Sequence, residues 1–171
     1  VNGPHYDLSA RTPTLLAALF APGIDEIRLY KAYVFGSAVM APLAVFAAAA
    51  ALRLAPLEAL VAAVLGILMW WVSYLRWYYT AGLVGYVTVC YAAVLFAALV
   101  IRYLEGGGKR WVPVALGLFG ACGFFWHWAL PVPVAIAVLA YLATNAARLN
   151  WPRTLAALTV IAALSVLPNL F

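Results

Sequence analysis

Long segments without a charged side chain dominate this sequence, and the longest extends from Trp111 to Ala147. Backbone amides inside a bilayer need hydrogen-bond partners within their own segment, so apolar runs without strand-like alternation predict helices rather than a barrel. Hydrophobic residues make up 68% of the chain and charged residues 9%, which leaves too little polar surface for a soluble domain. The sequence therefore predicts an all-α integral membrane protein.

The apolar segments predict a polytopic bundle of about six transmembrane helices, because one crossing takes about 20 residues. Pro131 and Pro133 divide the longest run, since a helix cannot continue through a residue that lacks the amide N–H it needs. A hydrophilic loop at 105–110 separates the third and fourth spans. The predicted spans are 29–52, 56–75, 81–103, 111–129, 132–149 and 154–171.

Residues 1–28 form the longest polar segment, which we predict to be an external loop with an interfacial helix. Thr12 before Pro13 is typical of a helix start, and the apolar run that follows is too short to cross a membrane. The chain therefore divides into a polar region at 1–28 and a helix bundle at 29–171. Because the chain begins with Val1, we expect it to be part of a longer protein with its insertion signal upstream.

Basic residues are unequally distributed between the two sets of loops that alternate along such a bundle. Six lie on one side and four on the side that receives the N-terminal segment. The positive-inside rule predicts that the richer side faces the cytoplasm, so the N-terminal loop is non-cytoplasmic, as in a bacterial inner membrane protein. The net charge of +5 is explained by these loops, and no nucleic-acid partner is predicted. The six are Arg53, Arg102, Lys109, Arg110, Arg148 and Arg153.

Asp7 is the candidate general base in the polar segment, with His5 two residues before it. A carboxylate above the membrane can deprotonate a sugar hydroxyl or hold a metal ion, and the histidine can tune its proton affinity or bind substrate. Two solvated loop residues would explain the same pattern.

Charged residues also cluster at the start of the first span. Asp25 and Glu26 are adjacent carboxylates that can bind a divalent cation as a cofactor. Arg28 and Lys31 lie on one helix face by their spacing and could bind an anionic substrate. The alternative is that the acids cap the helix and the cations extend to the membrane surface.

Two further candidates lie in aromatic surroundings on the same predicted side. Arg76, with Tyr78 nearby, offers a planar fork of donors suited to a phosphate at the membrane surface, although an arginine that simply reaches the interface explains it as well. His127 lies between Trp126 and Trp128 and could contact a substrate or a phosphate, or act as an axial ligand to haem or chlorophyll. An interfacial histidine without such a role is the alternative.

Three stretches resemble the membrane domain of the polyprenol-phosphate-dependent glycosyltransferases of the GT-C class. This class includes protein mannosyltransferases and lipid A aminoarabinose transferases. The stretches are HYD (residues 5–7) followed by an interfacial helix and YKAYVFGSAVMAPLAVFAAAAALRL, then WYYTAGLVGYVTVCYAAVLFAALVIRYL, then VALGLFGACGFFWHWALPVPVAIAVLAYL.

The resemblance implies sugar transfer from a lipid-linked donor at the non-cytoplasmic face. Asp7 would be the catalytic aspartate, Arg76 or Lys31 would meet the carrier phosphate, and His127 would line the cavity. Its partners would be membrane lipids and a lipid-linked sugar. The alternative is a non-catalytic accessory subunit that packs against other membrane subunits and binds lipid or pigment, which the short length and the alanine-rich faces favour.

Overall fold

The computed structural model describes residues 19, 23–71, 84–106 and 108–170, and at positions 26, 70 and 71 it describes the backbone alone. Within these residues every regular element is helical. The predicted all-α class is confirmed for this part of the chain. Six α-helices follow one another in this part of the chain: α1 (Glu26–Ala51), α2 (Pro56–Trp71), α3 (Val84–Gly106), α4 (Val112–Trp126), α5 (Pro131–Asn145) and α6 (Trp151–Val166). Short 3-10 helices extend α5 (Ala146–Arg148) and α6 (Leu167–Asn169).

The termini of α1 show how local sequence sets the helix boundaries. Asp25 caps its start, because the N–H of Ile27 donates to Asp25 Oδ1 at 3.3 Å. At its other end Arg53 adopts a φ of 62°, and the N–H of Leu54 donates to the carbonyl of Ala49 at 3.1 Å. These bonds satisfy carbonyls that the last helical turn leaves without partners. The capping interpretation of Asp25 is therefore confirmed.

Four of the six described helices are long and apolar enough to cross a membrane. They are α1, α3, and α5 and α6 with their 3-10 extensions, whereas α2 and α4 are shorter apolar helices. The structure thus describes a helical membrane protein, and a count of six spans stays a prediction.

Helix boundaries differ from the predicted ones by a few residues. The first helix begins at Glu26 rather than at residue 29, because Asp25 supplies its cap. The third continues to Gly106, so the predicted loop at 105–110 was wrong for its first two residues. An ion pair between Arg102 and Glu105, at 3.8 Å, spans the last turn of α3. The predicted interfacial helix lies outside the described residues, except for Leu19.

Helix α3 is the centre of the bundle. It packs against α1, α4 and α5, while α2 packs on α1 and α6 packs on α4. In its apolar window 56% of the residues are buried, against 11–22% in the other three long helices. The peripheral helices expose apolar side chains such as Phe35 and Leu57, both more than 70% exposed, as expected of surfaces that face lipid.

Small residues allow α4 and α6 to approach each other closely. A Cβ atom on Gly117 would come within 2.6 Å of Leu164 Cβ. A Cβ atom on Gly120 would overlap Ser165 and would reach Phe96 Cζ at 2.9 Å, so Gly120 lies where α3, α4 and α6 meet. Helices in lipid associate through such close backbone approach, since hydrophobic burial alone does not separate protein from lipid tails.

Side-chain contacts bring the helix termini together in two groups. Trp126 bonds to Tyr33, and Tyr86 packs on His127, so the starts of α1 and α3 meet the end of α4; we call this group the His127 end. Arg153 bonds to Gly108 and lies over Tyr103, which joins the end of α3 to the starts of α4 and α6; we call this the Arg153 end. The same two groups of helix ends are expected if successive loops of the bundle lie on alternate sides of a membrane.

We expect Gly120→Ala to lower the free energy of unfolding by about 1–3 kcal/mol, because the added methyl group forces Ser165 or Phe96 to move. Unfolding of the full-length protein by sodium dodecyl sulfate in mixed micelles would measure this change in the free energy of unfolding. Gly36→Ala is the matched control, because a Cβ atom on Gly36 meets no atom within 4 Å. Equal losses in the two variants would contradict the close-packing account of α4 and α6.

Candidate functional site

His127 ends α4 and makes contacts in three directions. Its backbone N–H donates to the carbonyl of Gly123 at 2.9 Å, which closes the last turn of the helix. The imidazole lies edge-on to the Tyr86 ring with centroids 5.1 Å apart. It also stacks on Trp128 at 5.8 Å with an interplanar angle of 21°. The ring is therefore partly buried in a defined orientation at the junction of α3 and α4.

A backbone hydrogen bond determines the tautomer of this histidine. The N–H of Ala129 donates to His127 Nδ1 at 3.1 Å, so Nδ1 carries no hydrogen and the neutral ring has its hydrogen on Nε2. In this state Nε2 is a hydrogen-bond donor and has no lone pair for a metal. This arrangement is unfavourable for axial ligation of haem or chlorophyll through Nε2.

Tyr33 and Trp126 connect this region to α1. Trp126 Nε1 donates to the hydroxyl oxygen of Tyr33 at 3.0 Å, and the two rings lie 5.6 Å apart. Tyr30 adds a third ring, with its centroid 6.5 Å from that of Tyr33. Aromatic rings with polar edges favour the level of the lipid headgroups, so this cluster is typical of the membrane surface.

The charged candidates of α1 lie within two helical turns of this cluster. Arg28 and Lys31 are exposed, and Glu26 is the first residue of the helix. The described contacts join α1 to the His127 region through Tyr33 rather than through Arg28 or Lys31. The two cations therefore share an end of the bundle with His127 without touching it.

Four predicted site residues lie outside the described residues: His5, Asp7, Arg76 and Tyr78. The side chain of Glu26 lies outside them as well. Their roles and their distances from His127 stay predictions.

The sequence analysis missed two members of the aromatic cluster, Tyr33 and Tyr86. Each lies within the first turns of a predicted span whose start was assigned to the same side as His127. Their positions near the starts of these spans could have indicated that both tyrosines lie at the same membrane depth as His127. Only the packing of α1, α3 and α4 shows which rings are in contact. Among the described residues, no group of three or more His, Cys, Asp or Glu side chains could hold a metal ion.

No protein-family model, curated protein or solved structure matches the chain. The resemblance to GT-C glycosyltransferases therefore rests on the quoted stretches alone.

The hydrogen bond between Tyr33 and Trp126 should appear as a coupling energy between α1 and α4. In a double-mutant cycle of Tyr33→Phe and Trp126→Phe, we expect a coupling of about 0.6 kcal/mol and at most about 1.7 kcal/mol, the range found for bonds between helices in membranes. The free energy of unfolding in mixed micelles provides the readout.

Tyr30→Phe combined with Trp126→Phe is the matched control for this cycle. Tyr30 belongs to the same cluster but contacts Tyr33 rather than Trp126. Its coupling to Trp126 should be close to zero. A coupling as large as that of Tyr33 would mean that general loosening of the cluster, not the hydrogen bond, carries the energy.

Proposed function

We propose that this chain is a glycosyltransferase-like module of a bacterial inner membrane, with six spans and its reaction site at the His127 end. The substrate would be a sugar carried on a polyprenyl phosphate. The observation that carries the proposal is the convergence of Tyr33, Tyr86 and Trp126 around an oriented His127, at the same end of the bundle at which the polar N-terminal segment enters α1.

This end has the chemical groups that recognition of such a donor needs. Aromatic faces suit the sugar and the first units of the lipid chain, and His127 lies against two of these rings. Arg28 and Lys31 add positive charge close to the aromatic cluster, where the carrier phosphate would lie.

The proposed reaction is a single displacement with inversion at the anomeric carbon. Asp7 takes the proton of the acceptor hydroxyl, whose oxygen attacks that carbon. The bond from carbon to the phosphate oxygen breaks, and the polyprenyl phosphate leaves with both electrons. Arg76 or Lys31 stabilises the negative charge that grows on the leaving phosphate.

Asp7→Asn should reduce sugar transfer by about 10²–10⁴-fold, because the amide cannot accept the proton. The measurement is turnover of full-length protein with polyprenyl-phosphate mannose and polyprenyl-phosphate glucose as donors. Glu58→Gln is the control: it removes a carboxylate at the opposite end and keeps an oxygen that can accept the N–H of Ala55, now bound to Glu58 Oε2 at 2.8 Å. Undiminished turnover in Asp7→Asn would remove this mechanism.

The alternative of a non-catalytic accessory subunit makes a different prediction in the same preparation. Large stoichiometric partners would then co-purify with a wild-type protein that transfers no sugar from either donor. A pigment held by His127 is disfavoured, because its Nδ1 accepts a hydrogen bond and its Nε2 therefore carries the hydrogen.

Six spans with the His127 end outside the cytoplasm predict a labelling pattern for single cysteines. In a background without Cys90 and Cys122, Ile24→Cys and Trp128→Cys should react with a membrane-impermeant maleimide in intact cells. Lys109→Cys should react only after permeabilisation, since three crossings separate it from residue 24. All three positions are exposed in the structure. The reverse pattern would invert the proposed orientation, and labelling of residues 24 and 109 from the same side would exclude six spans.

A further inference from the structure

An open cavity of about 540 Å³ lies at the Arg153 end, away from the proposed reaction site. Its mouth carries two arginines, Arg110 and Arg153, and its wall is apolar along α4 and α6. The wall includes Pro113 and Val114 from α4, and Ala156 and Val160 from α6. One open cavity therefore combines two arginines with an apolar wall.

Arg153 is held in place at the mouth before any ligand arrives. Its Nη2 donates to the carbonyl of Gly108 at 3.3 Å, and its guanidinium carbon lies 5.7 Å from the centroid of the Tyr103 ring. The cation–π contact and the hydrogen bond restrain the side chain while leaving further guanidinium N–H groups to bind an anion. An arginine restrained in this way loses less side-chain entropy on binding.

Cations outnumber carboxylates around this cavity among the described residues. The carboxylate of Glu105 forms an ion pair with Arg102 at 3.8 Å. No described carboxylate forms a salt bridge with Arg110, Arg148 or Arg153. Arg148 and Glu105 line a smaller cavity of about 190 Å³ that shares Tyr103 and Arg153 with the larger one, so three arginines stand against one carboxylate here. The local charge therefore favours a ligand with a net negative headgroup.

The position of the mouth matches the surface of a bilayer. Trp111 and Trp151, at the starts of α4 and α6, are 61% and 41% exposed. Tryptophans at helix ends favour the headgroup level, so the arginines lie at phosphate depth and the apolar wall extends toward the hydrocarbon. Val114 and Val160 are exposed along this wall, which opens onto the surface that lipid chains would cover.

We propose that this cavity binds an anionic phospholipid, with its phosphate at Arg110 and Arg153 and one acyl chain along the α4–α6 wall. Free phosphate would use the arginines alone and would leave the apolar wall without a role. The lipid bridges the loop after α3 to the start of α6, so its binding should stabilise the protein. This inference is independent of the proposed sugar transfer.

The test uses full-length protein in neutral detergent, titrated with phosphatidylglycerol, phosphatidylcholine or inorganic phosphate while the thermal unfolding midpoint is followed. Phosphatidylglycerol should raise the midpoint and the other two should not. The double variant Arg110→Gln with Arg153→Gln should bind phosphatidylglycerol at least roughly tenfold more weakly, because each cation near a charged membrane surface contributes to lipid attraction.

Two further variants separate a site from general attraction. Arg53→Gln removes one positive charge at the same end of the bundle, as each single substitution of the double variant does, but Arg53 does not line the cavity, so lipid binding should be nearly unchanged. Ala156→Leu keeps every charge and adds bulk to the apolar wall, and it should weaken phosphatidylglycerol binding if the acyl chain lies there. The thermal unfolding midpoint measured without added lipid shows whether each variant is folded.

Three results would overturn the proposal. Equal weakening by Arg53→Gln and by the cavity variants would show only non-specific electrostatic attraction. Stabilisation by inorganic phosphate as large as that by the lipid, with no effect of Ala156→Leu, would show an anion site without an acyl chain on the apolar wall. Equal stabilisation by phosphatidylcholine would show that the arginines do not select for charge.

Discussion

The absence of water around an apolar chain is the constraint on which the rest of this structure depends. Backbone groups that cannot form hydrogen bonds to water must form them within their own segment. Accordingly, every regular element among the described residues is a helix. The same constraint applies to polar side chains, and no buried polar side-chain atom among the described residues lacks a hydrogen-bond partner. Two of these bonds join helices: Tyr91 to the Gly66 carbonyl at 2.9 Å and Ser165 to the Gly117 carbonyl at 3.3 Å.

Helices that are equally apolar on all sides must be ordered by shape rather than by hydrophobicity. Gly117 and Gly120 let α6 approach α4, and the central position of α3 follows from its contacts on three sides. Alanine and valine dominate the buried positions, and most large apolar side chains are exposed, with Phe96 and Leu130 among the buried ones. This inverts the usual arrangement of a soluble core, because lipid accepts leucine and phenylalanine as readily as the protein interior does.

The two ends of the bundle differ in chemistry. The His127 end gathers aromatic rings around a histidine whose tautomer is set by a backbone bond. The Arg153 end gathers arginines beside an apolar wall. The sequence analysis treated the basic residues of the second end as signals of orientation alone. Arg110 and Arg153 are distant in the chain and meet only because α4 packs on α6, so their shared cavity had no signal in the sequence.

The sequence by itself determined the helical class, the membrane setting and most helix positions, because these depend on apolar length and on local caps such as Asp25. It also placed His127 and the start of α1 on one side, since helices that follow one another through short loops alternate in direction. Tertiary structure alone decided that α3 is central, that Tyr33 and Tyr86 join His127, and that Arg153 lies over Tyr103. The reason is that apolar helices carry almost no pattern for choosing neighbours, so their order depends on where small residues permit close approach and on single hydrogen bonds between side chains distant in sequence.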